Sequence, residues 1–209
     1  MSDRQAEAQR ILGALLELAR VAIVMVDGED AKRIITDRAH YYLASPDPKY
    51  RFLSSDYYDV NHDTFLRMKK TLLRLSMLVG FPCDTSLWVR VKGRHGLFRQ
   101  AGPARASGVV AKAPSEVEAG GPCLADHVTV AVQNGGMKRY WQWAEEKRPL
   151  GPEMAECLAT GKATVAPPDE ARGLITVLAP VSDSLGDVVG FVELTAKDPA
   201  SLASGPDWS

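Results

Sequence analysis

The sequence predicts an α+β fold: an antiparallel sheet of about five strands, a long N-terminal helix and a second helix packed beside the sheet. Three observations carry that prediction. Apolar residues recur at helical spacing across 4–35 and again across 61–80. Two runs dense in β-branched residues, 174–181 and 188–195, flank the turn-forming stretch Ser182-Asp183-Ser184-Leu185-Gly186-Asp187. Between them and the N-terminal part, 85–91 and 125–133 alternate in the manner of strands.

Taken in order, the first helix places Ile11, Leu12, Leu15, Leu16, Ala19, Ala22, Ile23 and Val26 on one stripe. A lone glycine weakens a helix without forbidding it, so the pattern carries past Gly28 through Ala31, Ile34 and Ile35. Ser45-Pro46-Asp47-Pro48 stops it, and a tyrosine-rich irregular wrap leads to Val60. Asn61 is placed to cap the second helix, whose stripe is Phe65, Met68, Leu72, Leu75 and Leu78, and Gly80-Phe81-Pro82 ends it. The stretch 101–121 is rich in Ala, Gly, Pro and Ser and reads as a mobile loop within a sheet core spanning 85–196. A short helix opens at Pro152 with Glu153 in its first turn and closes at Gly161. The tail from 197 to 209 reads as loosely held.

Length and composition bound the function. A chain of 209 residues buries a substantial core and is most simply one domain. A formal net charge of -1 gives no general field for nucleic acid or an anionic membrane. Cys83, Cys123 and Cys157 are widely spaced and odd in number, so no disulfide framework is expected. No apolar run is long enough to span a bilayer, and no signal peptide is read, because Asp3 and Glu7 sit where a basic start belongs.

Three pieces of the chain together resemble a known family. Val26-Asp27-Gly28-Glu29-Asp30-Ala31 comes late in the long helix, and the second helix leads directly into Ser86-Leu87-Trp88-Val89-Arg90. The closing hairpin is Ala179-Pro180-Val181-Ser182-Asp183-Ser184-Leu185-Gly186-Asp187-Val188-Val189-Gly190-Phe191-Val192-Glu193-Leu194. This layout, over about residues 5–196, resembles the Cache-type, PAS-like sensor domains of bacterial receptors. The hairpin is shared more loosely with GAF and ordinary PAS domains. The stretch 93–124 is longer than such domains carry between these strands, and their flanking membrane spans have no counterpart in this sequence. The resemblance implies a single sensor domain that binds a small molecule, runs no reaction and needs no cofactor. Its output domain lies outside this chain. By family resemblance it is the extracytoplasmic sensor region of a membrane receptor; the missing span and signal peptide leave a cytoplasmic location as the alternative.

Strand alternation points to a ligand face independently. In 85–91, Leu87, Val89 and Val91 point one way and Ser86, Trp88 and Arg90 the other. In 127–133, Val128, Val130 and Val132 point one way and His127, Thr129 and Ala131 the other. The aliphatic faces suit packing on the N-terminal helix. The mixed faces, with Trp88, Arg90, His127 and Thr129, suit a small polar metabolite such as a carboxylate or amine. Solvent exposure is the ordinary fate of such a face, and Trp88 counts against it because an indole in water wastes apolar surface. Arg90 offers a forked hydrogen bond to a carboxylate. Tyr140 and Trp143 offer an aromatic wall, Thr176 a hydroxyl, and Glu193 a partner for Arg90 or a ligand amine. The N-terminal stripe is also a seam for a homodimer.

Catalytic templates are missing: no G-x-S-x-G, Walker loop, H-E-x-x-H or C-x-x-C occurs. Cys123 and His127 lack the further ligands of a closed zinc site, so no metal is expected. Two rivals remain open. One is a stand-alone protein-interaction module docking through the amphipathic helix. The other is a small hydrolase or transferase using His127, Cys123 or Asp126.

Overall fold

The N-terminal periodicity folds as two helices rather than one. In the computed structural model, which describes residues 3–35, 62–90, 127–134, 147–169 and 171–201, helix α1 covers Asp3–Met25 and α2 covers Gly28–Ile34. Asp27 makes the break. Its backbone is extended (φ −78°, ψ 119°) and its side chain accepts a hydrogen bond from the Glu29 amide, so it caps α2 instead of continuing α1. Gly28 then lies so close to Ser182 that a Cβ would collide with the Ser182 carbonyl oxygen.

The remaining described elements are α3 (His62–Ser76), β1 (Cys83–Arg90), β2 (His127–Asn134), β3 (Lys147–Pro149), α4 (Pro152–Thr160), β4 (Thr164–Val165), β5 (Leu174–Ser182) and β6 (Val188–Lys197). The strands form one antiparallel sheet in the order β3-β2-β1-β6-β5-β4. The α+β class is as the sequence predicts. Six strands replace the expected five or so because β3 and β4 have three and two residues, too few for alternation to register.

One face of the sheet carries the main core. Ile11, Leu15, Leu18, Ala19 and Ala22 of α1 are buried, and α1 packs chiefly on β5. Phe65, Met68, Leu72 and Leu75 of α3 join the same core with Leu87, Val89, Val177, Val181, Val192 and Leu194 from the strands. Each fully buried aliphatic side chain of this kind contributes about 1.5–3 kcal/mol over leaving it in water. Leu78, assigned by periodicity to the α3 stripe, lies beyond the helix end and is 60 % exposed.

Two close approaches fix the hairpin. Gly190 pairs with Val89, and a Cβ there would collide with the Trp88 carbonyl oxygen, so β6 crosses β1 at a distance only glycine permits. At the turn, Asp183 Oδ1 accepts from the amides of Leu185 and Asp187, both at 2.9 Å, and Gly186 supplies the positive φ of 88°. The turn is tied to α2 by Lys32 Nζ to Asp183 Oδ2 (2.9 Å) and by Ser184 Oγ donating to Glu29 Oε1 (2.9 Å). Arg67 of α3 makes a forked pair with Asp30 of α2 (3.1 and 2.8 Å). The expected tyrosine-rich wrap, the loop at 101–121 and the tail beyond residue 201 lie outside the described residues.

Candidate functional site

The sheet face away from α1 is not an open polar surface. Trp88 points there, as alternation predicts, and is 2 % exposed. It packs in a second, smaller core with Val128, Leu178, Phe191, Met154 and Cys157. The last two come from α4, whose position the sequence sets locally. Pro152 starts it, and Gly161 ends it in the left-handed region (φ 63°) with its amide donating to the Cys157 carbonyl (3.0 Å). Met154 and Cys157, three residues apart, then share the helix face turned to the sheet.

At the edge of this small core stands a charged cluster. Trp88 Nε1 donates to Glu193 Oε2 at 2.8 Å, and Arg148 Nη2 donates to Glu193 Oε1 at 2.6 Å. The Arg148 guanidinium carbon lies 3.8 Å from the centroid of the Trp88 ring. Solvent reaches both charged side chains in part, Arg148 at 29 % and Glu193 at 18 % exposure. Glu193 thus satisfies the indole, pairs with the guanidinium and holds it against the ring. A cation over an indole adds about 0.5–2 kcal/mol, depending on how far it is desolvated. A buried donor is left over: Arg148 Nε is buried and has no hydrogen-bond partner among the described residues.

The arginine of this cluster is not the expected one. Arg90 ends β1 exposed, and Arg148, not Arg90, pairs with Glu193. Arg148 sits opposite Val128 in the β2–β3 ladder, and Val128 belongs to the Trp88 core, so the register carries Arg148 to the indole's side. A three-residue strand with no alternation of its own gives no sequence signal for this. The only hint is the basic pair Lys147-Arg148 ahead of Pro149.

His127 and Thr129 also fall on the other side. The β1–β2 register shifts between Leu87 and Trp88: Leu87 pairs with Val132 and Trp88 with Val130, leaving Ala131 as the extra residue of a bulge. Thr129 therefore pairs with Val89 and is buried on the helix side, and His127 shares its phase. His127 Nδ1 is buried with no hydrogen-bond partner among the described residues. Simple alternation through the strand overlooked the bulge. Thr176 does lie on Glu193's face by register, half-buried, with its hydroxyl 3.4 Å from that of Thr195. Tyr140 and Trp143 lie outside the described residues.

Nucleophilic chemistry gains no support from the described thiols. Burial pushes Cys83 up to about 11 and Cys157 up to about 12, leaving both as unreactive thiols near neutral pH. Cys123 and Asp126 are outside the described residues. Among the described residues no three His, Cys, Asp or Glu side chains converge as a metal site, and no helix is long and apolar enough to cross a membrane. In comparisons with known proteins, no family model, no curated protein and no solved structure matches the chain.

Proposed function

We propose that the chain is a small-molecule-binding sensory domain of a bacterial signalling protein, built on a Cache-type, PAS-like plan and without catalysis of its own. The observation that carries the reading is the Trp88–Arg148–Glu193 cluster, where an aromatic ring, a partly solvated ion pair and a spare buried donor meet at the edge of a sheet face. The antiparallel sheet, with its first strand beside its last and the long helix on the opposite face, supports the same plan. The spare Arg148 Nε–H favours a ligand with a hydrogen-bond acceptor, a carboxylate or a planar carbonyl compound, lying beside the indole. Binding would be read by an output domain outside this chain, through a differential affinity for two arrangements of the sensor.

A thermal-shift screen of amino acids, carboxylates, amines and purines tests this, because a ligand that binds only the folded state raises its melting temperature. The best hit is then titrated calorimetrically into wild type and Arg148→Met. Loss of a charge-assisted hydrogen bond of about 1.5–3 kcal/mol should weaken binding roughly ten- to a hundred-fold. No hit, or a hit bound equally well by Arg148→Met, would reject the site. The reading of the chain as an interaction module is favoured by a separate observation, an exposed apolar groove along α1.

A further inference from the structure

The apolar stripe expected to form a homodimer seam, with Ile11, Leu15, Ala19, Ala22 and Val26, is buried against the sheet, so unused chemistry is to be sought on the opposite face. There the small core around the indole stops at a serine. Ser86 lies two residues before Trp88 in β1 and directly opposite Glu193 in the β1–β6 ladder, so the three side chains share one face. Ser86 is 6 % exposed, and its hydroxyl has no hydrogen-bond partner among the described residues. A buried hydroxyl without a partner costs stability, and alanine at this position would avoid the cost. Its neighbours on the face are accounted for. Phe191 and Leu178 pack with Met154 and Cys157 of α4, and Thr195 and Thr176, one row further on, set their hydroxyls 3.4 Å apart.

We propose that Ser86 is a second contact of the ligand site and that the ligand is a hydroxy or oxo acid. The carboxylate takes the spare donor of Arg148, and the hydroxyl or carbonyl oxygen takes Ser86 Oγ. This assignment rests on the sensor reading and narrows it. The charges of the cluster select against an amine. Both Glu193 oxygens are engaged, Oε2 by Trp88 Nε1 at 2.8 Å and Oε1 by Arg148 Nη2 at 2.6 Å. An ammonium group would have to compete with Arg148 for that carboxylate and would leave the guanidinium without its countercharge. Asp84, the next acid on this face of β1, is exposed and stands two residues beyond Ser86. The cluster has to spare one N–H of a cation and one hydroxyl that both donates and accepts. A carboxylate suits the first and a neutral oxygen the second.

Two matched series of acids test this by calorimetric titration: propanoate, lactate and alanine, and succinate, malate and aspartate, the chiral members as both enantiomers. Within each series the carbon next to a carboxylate carries hydrogen, a hydroxyl or an ammonium group. Wild type should bind the preferred hydroxy acid roughly three- to tenfold more tightly than the unsubstituted acid, and the amino acid most weakly. Ser86→Ala should keep the wild-type melting temperature or raise it, and should bind hydroxy and unsubstituted acids alike. Arg148→Met should weaken every acid that binds. The possible failures are distinct. Acids that bind through Arg148 with no gain from the hydroxyl would overturn the role of Ser86 and leave the sensor reading standing. So would a gain that survives in Ser86→Ala, or an amino acid that binds best. No binding by any of these acids, or binding unchanged in Arg148→Met, would overturn both.

Discussion

Lys32 and Asp183, 151 residues apart in the chain, meet at 2.9 Å and bind the β5–β6 turn to helix α2. The same carboxylate organises the turn through the amides of Leu185 and Asp187. One side chain therefore shapes the hairpin tip and attaches it to the last turn of α2.

These two roles separate by substitution. Asp183→Asn keeps an oxygen for the turn amides and loses the ion pair, whereas Asp183→Ala loses both. Denaturant titration should find the alanine variant less stable than the asparagine variant. Equal midpoints would show that the turn bonds contribute nothing.

Acid should weaken the same region. The hydrogen bond from Lys32 holds the Asp183 carboxyl below its ordinary value, and Arg67 does the same for Asp30. Each then favours folding above the unfolded carboxyl value, near about 3.9, and this stability is lost as pH falls through the lower folded values. The melting temperature should fall in that window, and less steeply in Asp183→Asn than in wild type. A parallel acid limb in the variant would remove Asp183 from the cause.

Two glycines should respond with opposite signs. Gly28→Ala drives a methyl group into the Ser182 carbonyl and should cost about 1–3 kcal/mol. Gly13 lies inside α1 with open space around it, so Gly13→Ala should add about 0.5–1 kcal/mol through helix propensity alone. Measured urea midpoints moving in the same direction would contradict this.

The Trp88–Arg148–Glu193 cluster should behave as a coupled unit. Glu193→Gln leaves the indole an acceptor but takes the countercharge from Arg148. A double-mutant cycle with Arg148→Met should show a coupling of about 1–3 kcal/mol. Additive effects would mean that solvent, and not Glu193, holds the guanidinium.

Native thiol labelling should be slow at Cys83 and Cys157, whose burial raises them to about 11 and about 12. A thiol that is harder to ionise in the folded state stabilises fully below the unfolded value, near about 8.5, and loses that contribution as pH rises toward the folded one. Stability should therefore decline above that point. Rapid alkylation of either residue at neutral pH would show it to be open to solvent.

Periodic features were readable in the sequence. The buried stripes of α1 and α3, the capped α4 and the closing hairpin each repeat a signal over several residues. What escaped was single-residue: Asp27 capping α2 where the apolar rhythm ran on, and Arg148 on a strand too short to alternate. Trp88 was placed on the correct face because β1 is regular. The arginine expected to pair with Glu193 is Arg90, because nothing in the sequence pairs residue 148 with residue 128.

Ala131 contributes one methyl group to the helix-side core, yet it sets the phase of the four residues before it. With the bulge, Val128 faces the indole and Thr129 the helices. Were the same residues drawn into a regular ladder from Leu87–Val132 onward, Trp88 would pair with Ala131, and Thr129 and His127 would turn to the indole's side. Deleting Ala131 has the other outcome, since the ladder straightens while every existing pair is kept. Ala131 acts as a spacer, and the chemistry offered by this half of the sheet depends on a residue with almost none of its own.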